Sequence, residues 1–214
     1  ISNTKYGDEN LVKERPACCQ IVYEIIKELI NRNKELYLSV SLTTRPKKSG
    51  DIEGVSYNFV TRQEFFKKVE QGLFLEWAEV HGNYYGTPKF NVEEMINEGK
   101  NIILEIDVQG ALNVKKNCED GVFIFILPPS MEELKRRIIA RGSETPESLI
   151  KRFKTAYEEI NYISKYNYAV VNDDLEEAVK KVQNILYAED CRVSNIDYDI
   201  LDFKEGLING KYND

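Results

Sequence analysis

The sequence predicts an α/β fold in which a parallel sheet is covered by helices on both sides, with a small strand-rich lobe and a helical arm attached. Three observations predict it. Short apolar runs, NIILEID (101–107), VFIFIL (122–127) and YAVV (168–171), recur along the second half of the chain. Runs with so few polar positions suit strands buried on both faces. Segments of helical period separate them, and strands alternating with helices imply right-handed crossovers and a parallel sheet. Between about 37 and 88 the rhythm changes to short strands broken by glycine and proline.

In chain order, residues 20–33 place Ile21, Val22, Ile25, Ile26, Leu29 and Ile30 on one stripe of an amphipathic helix. YLSVSLTT (37–44) alternates and is rich in β-branched residues, which predicts a strand running into the basic turn PKKSGDIEG. VSYNFV (55–60) predicts another strand. Thr61 with Glu64 forms a capping box for a helix through Glu70 that Gly72 ends. FLEWAEVHGNYYG (74–86) predicts a hairpin with Gly-Asn at its turn. A helix follows Pro88 as far as Gly99. Ser130 and Glu133 form a second capping box for a helix to about Ala140, another helix starts at Pro146, and the last runs from Asp173 to about Glu189. The tail, 194–214, is polar and acidic without period and is expected to be loosely attached.

A chain of 214 residues with 42% apolar and 11% aromatic content has material for one sizeable core. The net charge of −7 argues against a nucleic-acid partner or an anionic membrane surface, because both reward a basic face. No apolar run approaches the roughly 18 residues that a membrane span needs, and no signal-peptide pattern opens the chain. A cytoplasmic location is expected. Cysteines at 18, 19, 118 and 191 and the single His81 fit neither a disulfide framework nor a zinc pattern, so no metal-ligand set is expected.

Four segments carry chemistry. In SVSLTTRPKK a strand ends in Ser41, Thr43 and Thr44 and then meets Arg45 and Lys48. Arginine presents a planar fork matched to phosphate oxygens; standing alone, the segment would read as a solvated basic turn. In FLEWAEV, followed by Tyr84, Tyr85, Gly86 and Thr87, Glu76 is either a surface acid or a base reader. One carboxylate can accept the N1 hydrogen and the 2-amino group of guanine together, and adenine offers no such pair. In LEIDVQGA, Glu105 and Asp107 stand two apart at the carboxyl end of a strand. There they face the ligand crevice of an open parallel sheet, or else serve as helix N-terminal acids favoured by the macrodipole. The arginine-rich stretch 134–153 suits an arm that folds over phosphate, or simply a charged helix face.

Together and in this order, SVSLTTR, YNFV, FLEWAEVHGNYYGT, LEIDVQGA, the arginine arm with RGSET, and VVNDDL resemble the guanylate kinase family over about residues 21 to 190. The resemblance implies a P-loop-kinase-like parallel sheet, a mixed-strand GMP-binding lobe and a helical lid. On this sequence those divide as core 1–36, 88–130 and 166–193, lobe 37–87, lid 131–165 and tail 194–214. It implies transfer of the γ-phosphoryl group from ATP to GMP, with Mg²⁺ accompanying ATP. Guanine recognition is implied at Ser41, Glu76 and Thr87 with Glu105 nearby, and the GMP phosphate at Arg45, Lys48, Tyr57 and Tyr85. The ATP phosphates are implied at Arg141 and Arg152, the ATP base at Asn172, and the acidic position at the magnesium end of the strand at Asp107. Arg45, Arg141 and Arg152 are the implied catalytic cations. Lys48 stands where the family usually carries arginine, a point charge in place of a fork.

One departure is serious. The family opens with an apolar strand and then G-x-x-x-x-G-K-[ST], whose backbone N–H groups cradle phosphates. This sequence has no glycine between Gly7 and Gly50. Counting back from Arg45, the loop falls on PACCQIVYE, with its lysine position at Val22; a helix one turn longer moves the lysine position to Cys18. Only Leu11 and Val12 are consecutive apolar residues ahead of it, where a central strand is expected. The expectation is that the first 20 or so residues are foreign to the family pattern and poorly ordered or misplaced, and that this polypeptide is nearly inactive as a kinase. The alternative function is a GMP-binding or protein-binding module on the same scaffold.

Overall fold

The computed structural model describes residues 17–118, 120–139 and 146–195. Its first element, α1 (Ala17–Arg32), starts a few residues before the predicted helix. Ile25, Ile26, Leu29 and Ile30 are buried as their spacing requires, and Tyr23, outside the predicted stripe, is buried more fully than any of them, at 1% exposure.

The predicted strand over 37–44 is two strands in two different sheets. β1 (Leu36–Leu38) runs parallel to β6 (Asn101–Ile103), whereas β2 (Leu42–Thr43) belongs to a four-stranded mixed sheet. The Ser39 N–H still donates to the Ile103 carbonyl at 2.9 Å, and the Ser41 carbonyl already accepts from Asn58 at 2.9 Å. The chain therefore crosses from one sheet to the other within residues 39–41. Alternation survives the crossing because Leu36, Leu38 and Leu42 are all buried, although in different layers.

The mixed sheet has the order β3-β2-β5-β4, with β3 (Asn58–Phe59) parallel to β2, and β4 (Phe74–Val80) and β5 (Asn83–Pro88) forming the predicted hairpin. Its two-residue turn is His81-Gly82, not Gly-Asn: Val80 pairs with Asn83, and the turn residues have φ of 52° and 82°. Positive φ at both central residues is the requirement of a tight hairpin turn, and glycine meets it at the second. α2 (Arg62–Glu70) closes the lobe. Its capping box forms in full, with Thr61 Oγ1 accepting from the Glu64 N–H at 3.2 Å and Glu64 Oε2 accepting from the Thr61 N–H at 2.8 Å.

α3 (Lys89–Asn97) leads to β6, whose ladder is only three residues of the predicted seven. α4 (Val108–Asn117) follows at once. β7 (Ile124–Leu127) then pairs in parallel with β8 (Tyr168–Val171), with α5 (Met131–Ile139), α6 (Pro146–Ile160) and a short 3-10 turn at Ile163–Lys165 between them. The second capping box is half formed. Ser130 Oγ accepts from the Glu133 N–H at 3.0 Å, but the Glu133 carboxylate is taken by Arg136 and Arg137, whose hydrogen bonds hold it down to about 2. α7 (Leu175–Asp190), capped by Asp174, is the last long helix among the described residues.

The main core is a layer in which α1 packs on α7 and both lie on the parallel strands. Tyr23, Ile26 and Leu29 meet Ala178, Val179 and Val182 over Leu36, Leu38 and Val170. Each Ile, Leu and Val side chain among them contributes about 1.5–3 kcal/mol by leaving water. Ile103, Ile124 and Ile126 pack against the same layer, so one pair of helices covers strands of both ladders. Yet among the described residues no strand joins β1–β6 to β7–β8. All four residues of β7 are half-exposed where burial on both faces is predicted. The segment expected to hold a central strand lies outside the described residues, as do Arg141, most of the tail and residues 1–16 of the first 20 expected to be poorly ordered or misplaced; residues 17–20 are helical.

Candidate functional site

The hairpin builds the first half of the site. Because side chains alternate along a strand, β4 turns Glu76 inward beside Ala78 and turns Trp77 and Glu79 outward. Cross-strand register sets Thr87 opposite Glu76, and the Thr87 hydroxyl donates to Glu76 Oε1 at 2.6 Å. A register shift between Phe74 and Glu76 leaves Leu75 as the extra residue, which packs with Ala111, Val114 and Phe123. Glu76 is 7% exposed and Thr87 fully buried. Burial pushes the Glu76 carboxyl above the usual range, the Thr87 hydrogen bond opposes that shift, and the Asp107 carboxylate adds to it.

Asp107 is the N-cap of α4, its Oδ1 accepting from the Gly110 N–H at 2.8 Å. Burial raises its pKa as well. Two carboxylates from distant parts of the sequence thus share one half-dry place, with Gly110 against both. Ser41, just ahead of β2, and Glu105, just after β6, are half-buried.

The second half of the site is a cationic, aromatic cradle. The Arg45 fork lies over Tyr57 and Phe59, 5.3 and 5.4 Å from the ring centres, and the Tyr57 and Tyr85 rings meet edge to face at 5.7 Å. Asp51 organises it, as the sequence reading missed. Its carboxylate accepts from both ends of the Arg45 fork, at 2.9 and 3.1 Å, and from the Lys48 backbone N–H at 2.7 Å. Burial alone would lower the Arg45 pKa, but the Asp51 hydrogen bonds outweigh that and hold it above its ordinary value. The signal available in sequence was an acid closing a Gly-containing turn six residues after the arginine. The Lys48 side chain is exposed.

The remaining predicted residues are spread over other elements. Asn172 follows β8, is 5% exposed, and donates its N–H to the Leu127 carbonyl at 2.7 Å. Its own carbonyl accepts from Arg137 at 3.1 Å. Arg152 is half-buried on α6, and Arg141 lies outside the described residues. The stretch that aligns with a phosphate-binding loop is helical from Ala17, so Val22, at the lysine position, is a side chain of α1. Among the described residues no cluster of His, Cys, Asp and Glu could hold a metal ion, and no helix is long and apolar enough to cross a membrane.

A buried carboxylate and an arginine–tyrosine cradle, both carried by one mixed sheet beside a parallel α/β core, suit a protein that binds nucleotides. The family model described as guanylate kinase matches residues 22–189. The guanylate kinase of Clostridium perfringens (strain SM101 / Type A) is 61% identical over 181 residues, which cover 85% of this chain and 84% of that protein. The guanylate kinase of Clostridium tetani is 60% identical over 184 residues, covering 86% and 88%. The crystal structure of guanylate kinase from Anaplasma phagocytophilum superposes with a TM-score of 0.73 at 36% identity, covering 86% of this chain and 89% of that one. This chain belongs to the guanylate kinase family.

Proposed function

We propose that this protein is a phosphotransferase that moves the γ-phosphoryl group of ATP to GMP, giving GDP and ADP. The buried Glu76–Thr87 pair carries the reading. Thr87 holds one carboxylate oxygen, and the carboxylate is left to accept the adjacent N1–H and 2-amino donors of guanine. A base without that pair would leave a buried acceptor unsatisfied, so adenine is rejected by about 10⁴-fold or more. Ser41 and Glu105 complete the base site, with Asp107 beside Glu76.

Arg45, Lys48, Tyr57 and Tyr85 receive the GMP phosphate. Arg45 is aimed by Asp51 and its two rings, so the cation is in place before the phosphate arrives. Arg141 and Arg152 reach the ATP phosphates from the lid and Asn172 lies beside the ATP base. Mg²⁺ would accompany ATP as part of the substrate, supplying charge neutralisation to its phosphates when bound. The chain's own work is positioning and charge neutralisation, with no strong base required. The division into core, lobe (37–87) and lid (131–165) belongs to the same reading. So do a cytoplasmic location and the absence of nucleic-acid and membrane partners, which the net charge of −7 supports.

A second reading rests on one observation, the missing G-x-x-x-x-G-K-[ST] motif. It makes this polypeptide a GMP-binding or protein-binding module with impaired phosphotransfer. Two measurements separate the readings. Calorimetric titration with GMP and AMP tests the base site, and equal affinities would defeat the kinase reading and the GMP-binding form of the second. An ADP-release assay with GMP and Mg-ATP then tests transfer: turnover of ~1–100 per second supports the kinase reading for the chain as it stands, and its loss with GMP binding retained supports the module.

A further inference from the structure

We infer that Gly110 is a positioning residue for guanine specificity: its missing side chain is the space in which the Glu76 carboxylate sits. This rests on the proposed role of Glu76. A Cβ built on Gly110 would lie 2.6 Å from Glu76 Oε2, 3.1 Å from its carboxyl carbon and 3.1 Å from Asp107 Oδ1. Cβ atoms essentially never come within 3.0 Å of a heavy atom outside their own stretch of chain, so the carboxylate would have to move. Glycine's usual reason is absent here. Gly110 is in the first turn of α4 without a positive φ, where alanine is the better helix former. The residue is therefore unfavourable for its own helix and is explained by what lies against it.

Glu76 has little freedom to yield without losing its aim. Its other oxygen is fixed by the Thr87 hydroxyl at 2.6 Å, and the residue is 7% exposed. On the helix side the Gly110 N–H is already engaged by Asp107 at 2.8 Å. A methyl group at position 110 thus rotates the carboxylate about its Thr87 anchor and out of the plane in which it can meet two parallel donors. Only side-chain tips move, that of Glu76 most and that of Asp107 by a few tenths of an ångström, so the fold tolerates the change while guanine recognition does not. Gly110 and Glu76 are distant in sequence, on the core and on the lobe, and their contact fixes where the lobe's base reader stands against the core.

The test is Gly110→Ala. GMP affinity, measured by calorimetry, should fall about tenfold to a hundredfold, the worth of one hydrogen bond to a charged group. Preference for GMP over IMP, which keeps N1–H but lacks the 2-amino group, should fall with it, while the far-ultraviolet circular dichroism stays unchanged. If the parent chain binds GMP and Gly110→Ala leaves both affinity and preference unchanged, the inference is wrong. A melting-temperature cycle with Glu76→Ala reads the contact without any ligand. Gly110→Ala should raise the melting temperature more, or lower it less, in the Glu76→Ala background than in the parent, and equal shifts in both overturn the inference. Should the parent fail to bind GMP, the guanine reading falls by itself and this cycle alone decides whether the two residues are coupled.

Discussion

The two halves of the proposed nucleotide site are built in opposite ways. On the acceptor side, Glu76 and Thr87 are cross-strand neighbours in one hairpin, and Arg45, Lys48 and Asp51 share one turn. Nearly every contact there is made within residues 41–87, with α4 pressed against the back. On the donor side, Asn172 follows β8, Arg152 is on α6, and the positions of the phosphate loop are occupied by α1. A site whose polar contacts lie mostly within one stretch, braced only by α4, does not depend on the elements of the other half. A site assembled from separate elements around a central loop depends on that loop, so loss of one segment empties one half and spares the other.

The sharpest way to break this contrast is to restore what the donor side lacks. Replacing the residues ahead of Val22 with an apolar strand and a G-x-x-x-x-G-K-[ST] loop should raise turnover in the ADP-release assay by three orders of magnitude or more, estimated as roughly 1.5–3 kcal/mol for each regained charged hydrogen bond. GMP affinity should change little. A parent chain as fast as the restored one would show that ATP is held by groups other than the loop.

In that restored form, Arg152→Ala should lower kcat by about 10²-fold or more, because a cation aimed at the transferring phosphoryl acts mainly in the transition state. The GMP Michaelis constant should stay nearly constant. An effect confined to that constant would move Arg152 to the acceptor half and blur the comparison.

On the acceptor side, Glu76→Gln should weaken GMP by roughly tenfold to a hundredfold, since an amide offers one acceptor where the carboxylate offers two. AMP binding should be unaffected. The same residue carries a pH dependence. Burial raises its folded pKa, so its contribution to stability is greatest below the unfolded carboxylate pKa and is lost as pH rises through the folded value. GMP binding runs the other way, because only the ionised form accepts both donors. Affinity should therefore fall on acidification at a pH above the ordinary carboxylate range, and Glu76→Gln should flatten that limb of the profile.

The smallest effect expected is Thr61→Ala, which removes the reciprocal cap of α2 and should lower stability by about 1 kcal/mol in chemical denaturation. GMP affinity should hold, because α2 supports the lobe from outside the cradle. A large loss of GMP binding would mean that the acceptor half is less self-contained than its contacts indicate.

Elements whose cause is local were legible in advance. The stripe of α1 is written in the spacing of Ile25, Ile26, Leu29 and Ile30, and the box Thr61–Glu64 in two residues three apart, because a helix face and a cap involve only near neighbours. Residue chemistry was legible too: a carboxylate followed by threonine, and an arginine followed by tyrosines, state which ligand groups they can meet. Other features answered to partners far along the chain. The run 37–44 divides between two sheets because β6 claims its first half and β5 its second. Glu133 gives up half of its cap to Arg136 and Arg137. The hairpin turns at His81-Gly82, one residue earlier than the favoured Gly-Asn pair, because Asn83 is needed opposite Val80.

The sequence by itself therefore determined the α/β class, the periodic faces, the local caps and the chemical types of the acceptor site, together with the absence of the phosphate-loop motif. Only the tertiary structure decided that Asp51 clasps the Arg45 fork, that Leu75 is the extra residue that keeps Glu76 opposite Thr87, and that Gly110 is the clearance for the Glu76 carboxylate. Periodicity records which way a side chain faces, a property of adjacent residues. What it faces depends on which distant surface is buried against it, and that is settled only when the lobe and the core pack together.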